Sequence, residues 1–128
     1  MTALDNAKAH LEDIRQLHAR YLEALQTDDS EVEQVEERAR EQVLSVEVRT
    51  GWHCPSDPPS QPEEGCLLLS TGGPALRLLV DLDCDAEPCE CHLQHQDWGT
   101  PWIDVPLSEA DDEALCWFAS LFCFSVPQ

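Results

Sequence analysis

The chain has few cations and no long apolar segment, and each shortage argues against a class of protein. Its 128 residues include seven Lys or Arg and 26 Asp or Glu, which gives a formal net charge of −19. Because phosphate binding depends on Lys and Arg, we do not expect direct nucleic-acid binding. No apolar run approaches the length of a membrane span, and the start, MTALDNAKAHLEDI, lacks the regions of a signal peptide. We therefore expect a cytoplasmic protein with no membrane attachment.

Local signatures of common catalytic sites are also missing. The sequence contains no G-x-S-x-G nucleophile motif, and no G-K-[ST] follows the glycines at 72 and 73. Cysteines, histidines and carboxylates are plentiful, but nothing marks one cysteine as an activated nucleophile. We predict a protein that is not an enzyme and needs no cofactor. A small enzyme with a Cys/His site is the alternative.

Seven cysteines are an odd number, and they occur in a chain without a recognised export signal. Disulfides belong mainly to oxidising compartments, so reduced thiols are the better interpretation than a disulfide framework. Free cysteine then behaves as a small hydrophobic residue in the core.

The negative charge is concentrated in the second part of the chain. Residues 1–50 hold twelve acids and six bases, a difference of −6, whereas residues 51–128 hold fourteen acids and Arg77, a difference of −13. Such a surface projects a negative field and favours a basic partner. Acidity that serves solubility alone is the competing explanation.

Hydrophobic periodicity predicts helix over residues 1–43. One stripe has 3-4 spacing and is typical of an amphipathic helix; it contains Leu4, Ala7, Leu11, Ile14, His18, Tyr21 and Leu25. A break at residues 27–29, followed by a capping-box pattern of Ser30 and Glu33, predicts a second helix with Val32, Val35 and Ala39 inward. A helical hairpin packed on a sheet is the favoured arrangement. One long bent helix, or a dimer seam along the stripe, is the alternative, so a monomer and a homodimer are both open.

From Leu44 onward the period changes to two, which predicts strands. LSVEVRTGW should bury Leu44, Val46 and Val48, and residues 66–70, 75–83 and 89–97 form three further strands. The proline-rich stretch 54–65 is a predicted loop, TGGP at 71–74 a turn, and IDVPL a short extended piece.

A final helix is predicted from residue 107 to 124, with Ser108 and Asp111 forming its cap and Leu115, Phe118 and Phe122 on its inner face. The predicted class is α+β in a single domain, 1–128. It consists of a helical hairpin at 1–43, a four-stranded antiparallel sheet at 44–105, and a C-terminal helix packed on that sheet.

The segment CDAEPCECHLQHQDWGTPW suggests a metal site. Its candidate ligands are Cys84, Cys89, Cys91, His92 and His95. Their spacing lacks the close C-x2-C pairs that are usual in structural zinc sites. Strand alternation gives a simpler interpretation, in which Cys89, Cys91 and Leu93 face the core, so we predict no metal site and keep structural zinc as the alternative.

Alternation also predicts an acidic surface. Glu47, Asp81, Asp83 and Glu90 should point outward from one sheet face, with further acids in loops nearby: Asp57, Glu63, Glu64, Asp85 and Glu87. Trp52, Trp98 and Trp102 fall at strand ends, where they either anchor an interface or close the core edge, the second being favoured for Trp98 and Trp102. These carboxylates and tryptophans are the predicted partner-binding residues.

The runs LSVEVRTGW, CLLLSTGGPALRLLVDLD and HLQHQDWGTPW resemble a group of small proteins carried on conjugative plasmids and integrated mobile elements of Gram-negative bacteria. The resemblance extends over about residues 1–124 and is strongest at STGGPAL and QDWGTPW. It implies a short acidic inhibitor of host defence, of the anti-CRISPR or anti-restriction kind, without catalytic residues. The extra cysteines around the fourth strand depart from the pattern of that group.

Charge and resemblance together lead to a specific hypothesis. The protein is expected to be a non-enzymatic inhibitor whose acidic surface imitates nucleic acid and blocks a basic, nucleic-acid-binding protein or ribonucleoprotein, such as a CRISPR effector. The alternative is a protein–protein interaction module with structural zinc or paired helices, in which the acidity is incidental.

Overall fold

The computed structural model describes residues 2–58, 60–72 and 74–127. Three helices and five strands follow one another along the chain: α1 Ala3–Thr27, α2 Asp29–Arg40, β1 Ser45–Arg49, β2 Glu64–Ser70, β3 Ala75–Leu82, β4 Pro88–Gln96, β5 Ile103–Asp104 and α3 Glu109–Ser120. The predicted α+β class is confirmed, and the extended piece after the fourth strand adds a short fifth one. Pro59 of the predicted proline loop and Gly73 of the predicted turn lie outside the described residues.

The first helix begins at a capping box, in which Thr2 accepts from the Asp5 amide and the Asp5 side chain accepts from the Thr2 amide. The buried positions of α1 are Ala3, Ala7, Leu11, Ile14, Leu17 and Ala24. The prediction for Leu25 is wrong, because that side chain is 50% exposed. A strict seven-residue stripe drifts around a straight 3.6-residue helix, so the buried line passes to Leu17 and Ala24 by the end of α1.

Asp28 joins the two N-terminal helices, as the C-cap of α1 and the N-cap of α2. Its carboxylate accepts hydrogen bonds from both the hydroxyl and the amide of Ser30, and these lower the pKa of Asp28. The predicted cap at Ser30 is therefore wrong by two residues; Ser30 is a donor to the cap. Arg38 and Gln42 lie beside the middle of α1, so α2 folds back along it as predicted.

The sheet has the strand order β1-β2-β3-β4-β5, and every neighbouring pair is antiparallel. One face packs against α1 and α3 through β3 and β4. Its central strands supply the fully buried Leu67, Leu76, Leu78, Val80 and Leu93. The predicted inward positions of β3 are thereby confirmed.

The first strand departs from the prediction. Val46 is opposite the buried Leu67, so its side chain is on the helix-covered side of the sheet. Leu44, Val46 and Val48 are nevertheless 59%, 43% and 38% exposed, because β1 is the edge strand and the helices cover β3 and β4. The alternation was predicted correctly, but the burial of these three side chains was not.

The last helix has the predicted capping box of Ser108 and Asp111 but ends at Ser120, four residues earlier than expected. After it, the chain continues without helix to Phe124, which is buried against Gly65 of β2. Gln61 exchanges two hydrogen bonds with the backbone of Val126 and fixes this terminal segment beside the start of β2.

No helix within the described ranges combines the length and the apolar character that a membrane crossing requires.

The close contact of Gly65 with Phe124 predicts that Gly65→Ala destabilises the fold. A Cβ atom at Gly65 would lie 2.5 Å from Phe124 Cδ1. Overpacking of this kind costs about 1–3 kcal/mol in the free energy of unfolding, which urea denaturation measures. Phe124→Leu in the Gly65→Ala background should cost less than in the native chain, because it relieves the clash. Strict additivity of the two changes would contradict this contact.

The free energy of unfolding should decrease as the pH is lowered, because His18 is harder to protonate in the folded chain. Its ring stacks on Trp117 at a centroid distance of 5.2 Å, and burial lowers its pKa from the ordinary 6.5, with Glu113 opposing the shift. The unfolded chain therefore takes up a proton more readily than the folded one. The stabilising contribution is fully present above 6.5 and is lost as pH falls below it toward the folded pKa.

His18→Phe keeps an aromatic ring against Trp117 but cannot titrate. As the pH is lowered from about 7.5 to about 5, the native chain should lose stability relative to the variant. Urea denaturation across this range measures the difference, and a constant value would show that His18 has an unshifted pKa.

Candidate functional site

The second face of the sheet is not covered by the helices, and we call it the open face. Antiparallel pairing fixes which side chains stand beside one another on it. One row runs Arg49, Glu64, Asp81, Glu90 from β1 to β4, and the next runs Glu47, Cys66, Leu79, His92. Glu47, Asp81 and Glu90 thus share a face, as the alternation predicts.

Asp83 is an exception to the predicted row. It follows the end of β3, and its Oδ1 accepts hydrogen bonds from the amides of Asp85 and Glu87 at 2.9 and 3.0 Å. Ala86, between them, has a φ of 60° in this tight turn. The outward strand position predicted for Asp83 is wrong: the side chain organises the β3–β4 turn.

This turn lies next to the Glu64–Asp81–Glu90 row, beyond the end of β3 and the start of β4. Glu63 precedes β2 and accepts a backbone hydrogen bond from Leu82, so it reaches the same end of the sheet; Glu64, predicted in a loop, is part of β2. We call the resulting cluster the acidic end. Its members are Glu63, Glu64, Asp81, Asp83, Asp85, Glu87 and Glu90.

An open depression of about 540 Å³ adjoins the acidic end. Its lining residues are Arg49, Thr50, Gly51, Trp52, Glu63, Glu64 and Asp81. The indole of Trp52 is fully exposed. An exposed indole beside carboxylates suits a cationic side chain, since the ring face and the carboxylates attract the same charge.

Both arginines on the open face already have partners. Arg49 Nε is 2.6 Å from Glu64 Oε1, and Arg77 Nε donates to Gln94 Oε1 at 2.9 Å. The guanidinium of Arg77 also lies 4.1 Å from the centre of the Trp102 ring. Along β3, Arg77 is four residues before Asp81, and it lines a second depression together with Glu47 and Glu64.

Trp102 and Trp98 differ in their surroundings. Trp102 is half-buried over Arg77, so it packs on the open face. Trp98 is 84% exposed, so the interpretation that it closes the core edge is wrong. Hydrogen bonds between Asp97 and Thr100 hold the turn at 97–100, and the indole lies outside it. Asp57 is exposed in its loop, where it accepts from the Cys54 amide.

The cysteine and histidine candidates for a metal site are separated by the strand. Cys91 is buried on the helix side, whereas His92 points to the open face. Cys84 is exposed in the turn, and His95 is opposite Leu76 on the helix side, with its Nδ1 buried and unpartnered among the described residues.

Cys89 does not face the core as predicted. The register between β3 and β4 shifts after Asp81, so Cys89 is an extra residue in a β-bulge. Its thiol is exposed and donates to the backbone oxygen of Asp81 at 3.1 Å. The bulge turns this side chain out of the alternation that governs Cys91 and Leu93.

A different group of potential ligands meets on the open face. One ligand atom each from Asp81, Glu90 and His92 lies within 4.8 Å of the other two. Carboxylate oxygens and imidazole nitrogens are ligand types for divalent transition metals. His92 Nε2 is also 3.1 Å from Asp81 Oδ2, so the same pair forms a direct contact. Sequence spacing missed this group because its members come together through strand register.

All seven cysteines fall within the described residues and are free thiols. Burial raises the pKa of Cys91, Cys66 and Cys116. A raised pKa disfavours the thiolate, so these three are poor nucleophiles.

Comparisons with protein-family models, with curated proteins and with solved structures find no match for this chain.

Thiol exposure predicts two classes of labelling rate with a maleimide at neutral pH. Cys54, Cys84, Cys89 and Cys123 are exposed and should react first, whereas Cys91, 3% exposed, should react at least about tenfold more slowly. Peptide mapping by mass spectrometry measures each rate, and labelling in guanidinium chloride, where the classes should merge, is the control. Fast labelling of Cys91 in the folded protein would contradict its place in the core.

Proposed function

We propose that this protein is a non-enzymatic inhibitor from a mobile genetic element. It docks the acidic end on a basic, nucleic-acid-binding host-defence complex, such as a CRISPR effector, and so competes with nucleic acid. The observation that carries the proposal is the acidic end itself. There, strand register and one turn gather seven carboxylates at a single end of the sheet.

The geometry of these carboxylates supports imitation of a phosphate row. Neighbouring strands are about 4.8 Å apart, so carboxylates on adjacent strands form a closely spaced row of negative charges, as phosphates do along a nucleic-acid strand. Glu64, Asp81 and Glu90 stand on three consecutive strands. Because the sheet fixes their positions, little ordering of the backbone opposes binding.

The electrostatics support the same conclusion. Arg49 lies beside the acidic end and forms an ion pair with Glu64, and the whole chain has a formal net charge of −19. A surface of this charge speeds the approach of a basic partner and repels nucleic acid. Trp52 adds the exposed aromatic side chain that commonly anchors a charged interface. Host defence is proposed as the setting because STGGPAL and QDWGTPW are expected to resemble segments of mobile-element proteins.

Charge reversal at the acidic end should abolish docking. Asp85→Lys, Glu87→Lys and Glu90→Lys change three exposed carboxylates whose side chains make no hydrogen bond in the structure's described part. Affinity for a purified effector complex should fall by about tenfold or more, since opposed like charges replace attractive ones. Binding is measured against a panel of CRISPR effectors, each with and without bound nucleic acid, at low and high salt.

The matched control is the triple variant Glu33→Lys, Glu37→Lys and Glu41→Lys, which makes the same change in net charge on exposed positions of α2 and the residue after it. It should retain most of the affinity. Equal losses in the two variants would show that net charge alone acts. Failure to bind any effector, or equal binding with and without nucleic acid, would refute the proposal.

A further inference from the structure

The edge strand β1 carries an exposed apolar strip. Among the described strands it pairs with β2 alone, so its outer row of backbone N–H and C=O groups has no strand beside it. Leu44, Val46 and Val48 are all more than a third exposed, and the exposed Trp52 is three residues after the end of β1. Natural proteins normally blunt or cover such an edge, because it is a template for pairing with another chain.

The two faces of this edge differ in chemistry. Val46 and Val48 project on the helix side, while Glu47 projects on the open face beside the acidic end, together with Arg49, whose charge is paired with Glu64. A strand added to β1 would place its alternate side chains against these two surfaces. The best-fitting segment has apolar residues on one side and cations on the other.

We propose that β1 is a docking edge for an extended segment of the partner, in which apolar and basic residues alternate. The basic side chains lie beside Glu47 and enter the depression between Trp52 and Glu63. Charge complementarity selects this occupant over a second copy of the chain, because self-pairing would bring two charges of −19 together. The inference deepens the proposed function, on which it rests for the basic character of the partner.

A synthetic heptapeptide of alternating Arg and Val tests the strand pairing directly. Amides of successive residues in a strand point to opposite edges, so methylating either the Val amides or the Arg amides blocks one edge while keeping charge and side chains. One methylated peptide should bind at least about tenfold more weakly than the unmodified peptide, and the other about equally, by titration calorimetry. Hydrogen exchange at residues 45–49 should slow when the unmodified peptide binds.

Variants of the chain complete the test. Val46→Lys with Val48→Lys should weaken peptide binding by about tenfold or more. Leu22→Lys with Leu25→Lys is the matched control, because these α1 leucines are similarly exposed, and it should leave binding unchanged.

Three results would overturn the strand inference. Equal binding of both methylated peptides would mean that charge alone attracts the segment. Absence of peptide binding at low salt would exclude this occupant. A dimer in sedimentation that Val46→Lys with Val48→Lys dissociates would make a second copy the occupant. None of these results bears on the docking of the acidic end on an effector, because charge reversal at Asp85, Glu87 and Glu90 tests that proposal separately.

Discussion

Antiparallel register across a sheet covered on one face is the constraint on which the rest of this structure depends. The helices α1 and α3 cover the side of β3 and β4 that carries Leu78, Val80 and Leu93. The alternation of strand side chains then sends Asp81, Glu90 and His92 to the other side. Packing of the core and assembly of the charged surface are therefore consequences of the same pairing, and a one-residue slip would reverse both.

The β-bulge at Cys89 and the turn after Leu82 extend this surface. The bulge absorbs one residue, so that Glu90 is opposite Asp81 while Cys91 remains in the core. Asp83 ties the turn through two backbone amides, which places Asp85 and Glu87 beyond the strand ends. Seven carboxylates consequently occupy one end of the molecule although they span residues 63 to 90 in the sequence.

Much of this fold follows from local patterns. The period-two leucines of β3 and the Ser108–Asp111 capping box predict their elements, because both depend on neighbouring residues alone. The exposure of Val46 and Val48 could not be predicted, because alternation gives the side of a strand but not whether a helix covers it. The burial predicted for Leu25 was wrong for a different reason, because a heptad stripe drifts around a straight helix.

The candidate site shows the same division. Outward Asp81 and Glu90 are predictable from alternation, whereas Cys89 and the approach of His92 to Asp81 depend on the bulge and on cross-strand pairing. Glu64 was predicted in a loop because β2 begins two residues before the predicted strand. Sequence spacing drew attention to cysteines in this region, but the strand sends Cys91 and His92 to opposite faces.

Amide hydrogen exchange on the complex with a bound effector most directly tests the claim that the acidic end is the docking surface. Segments 45–52, 63–66 and 81–91 should gain protection when the partner binds, while α1 and α2 should exchange as in the free protein. Protection confined to the two N-terminal helices, with the acidic end unchanged, would contradict the account.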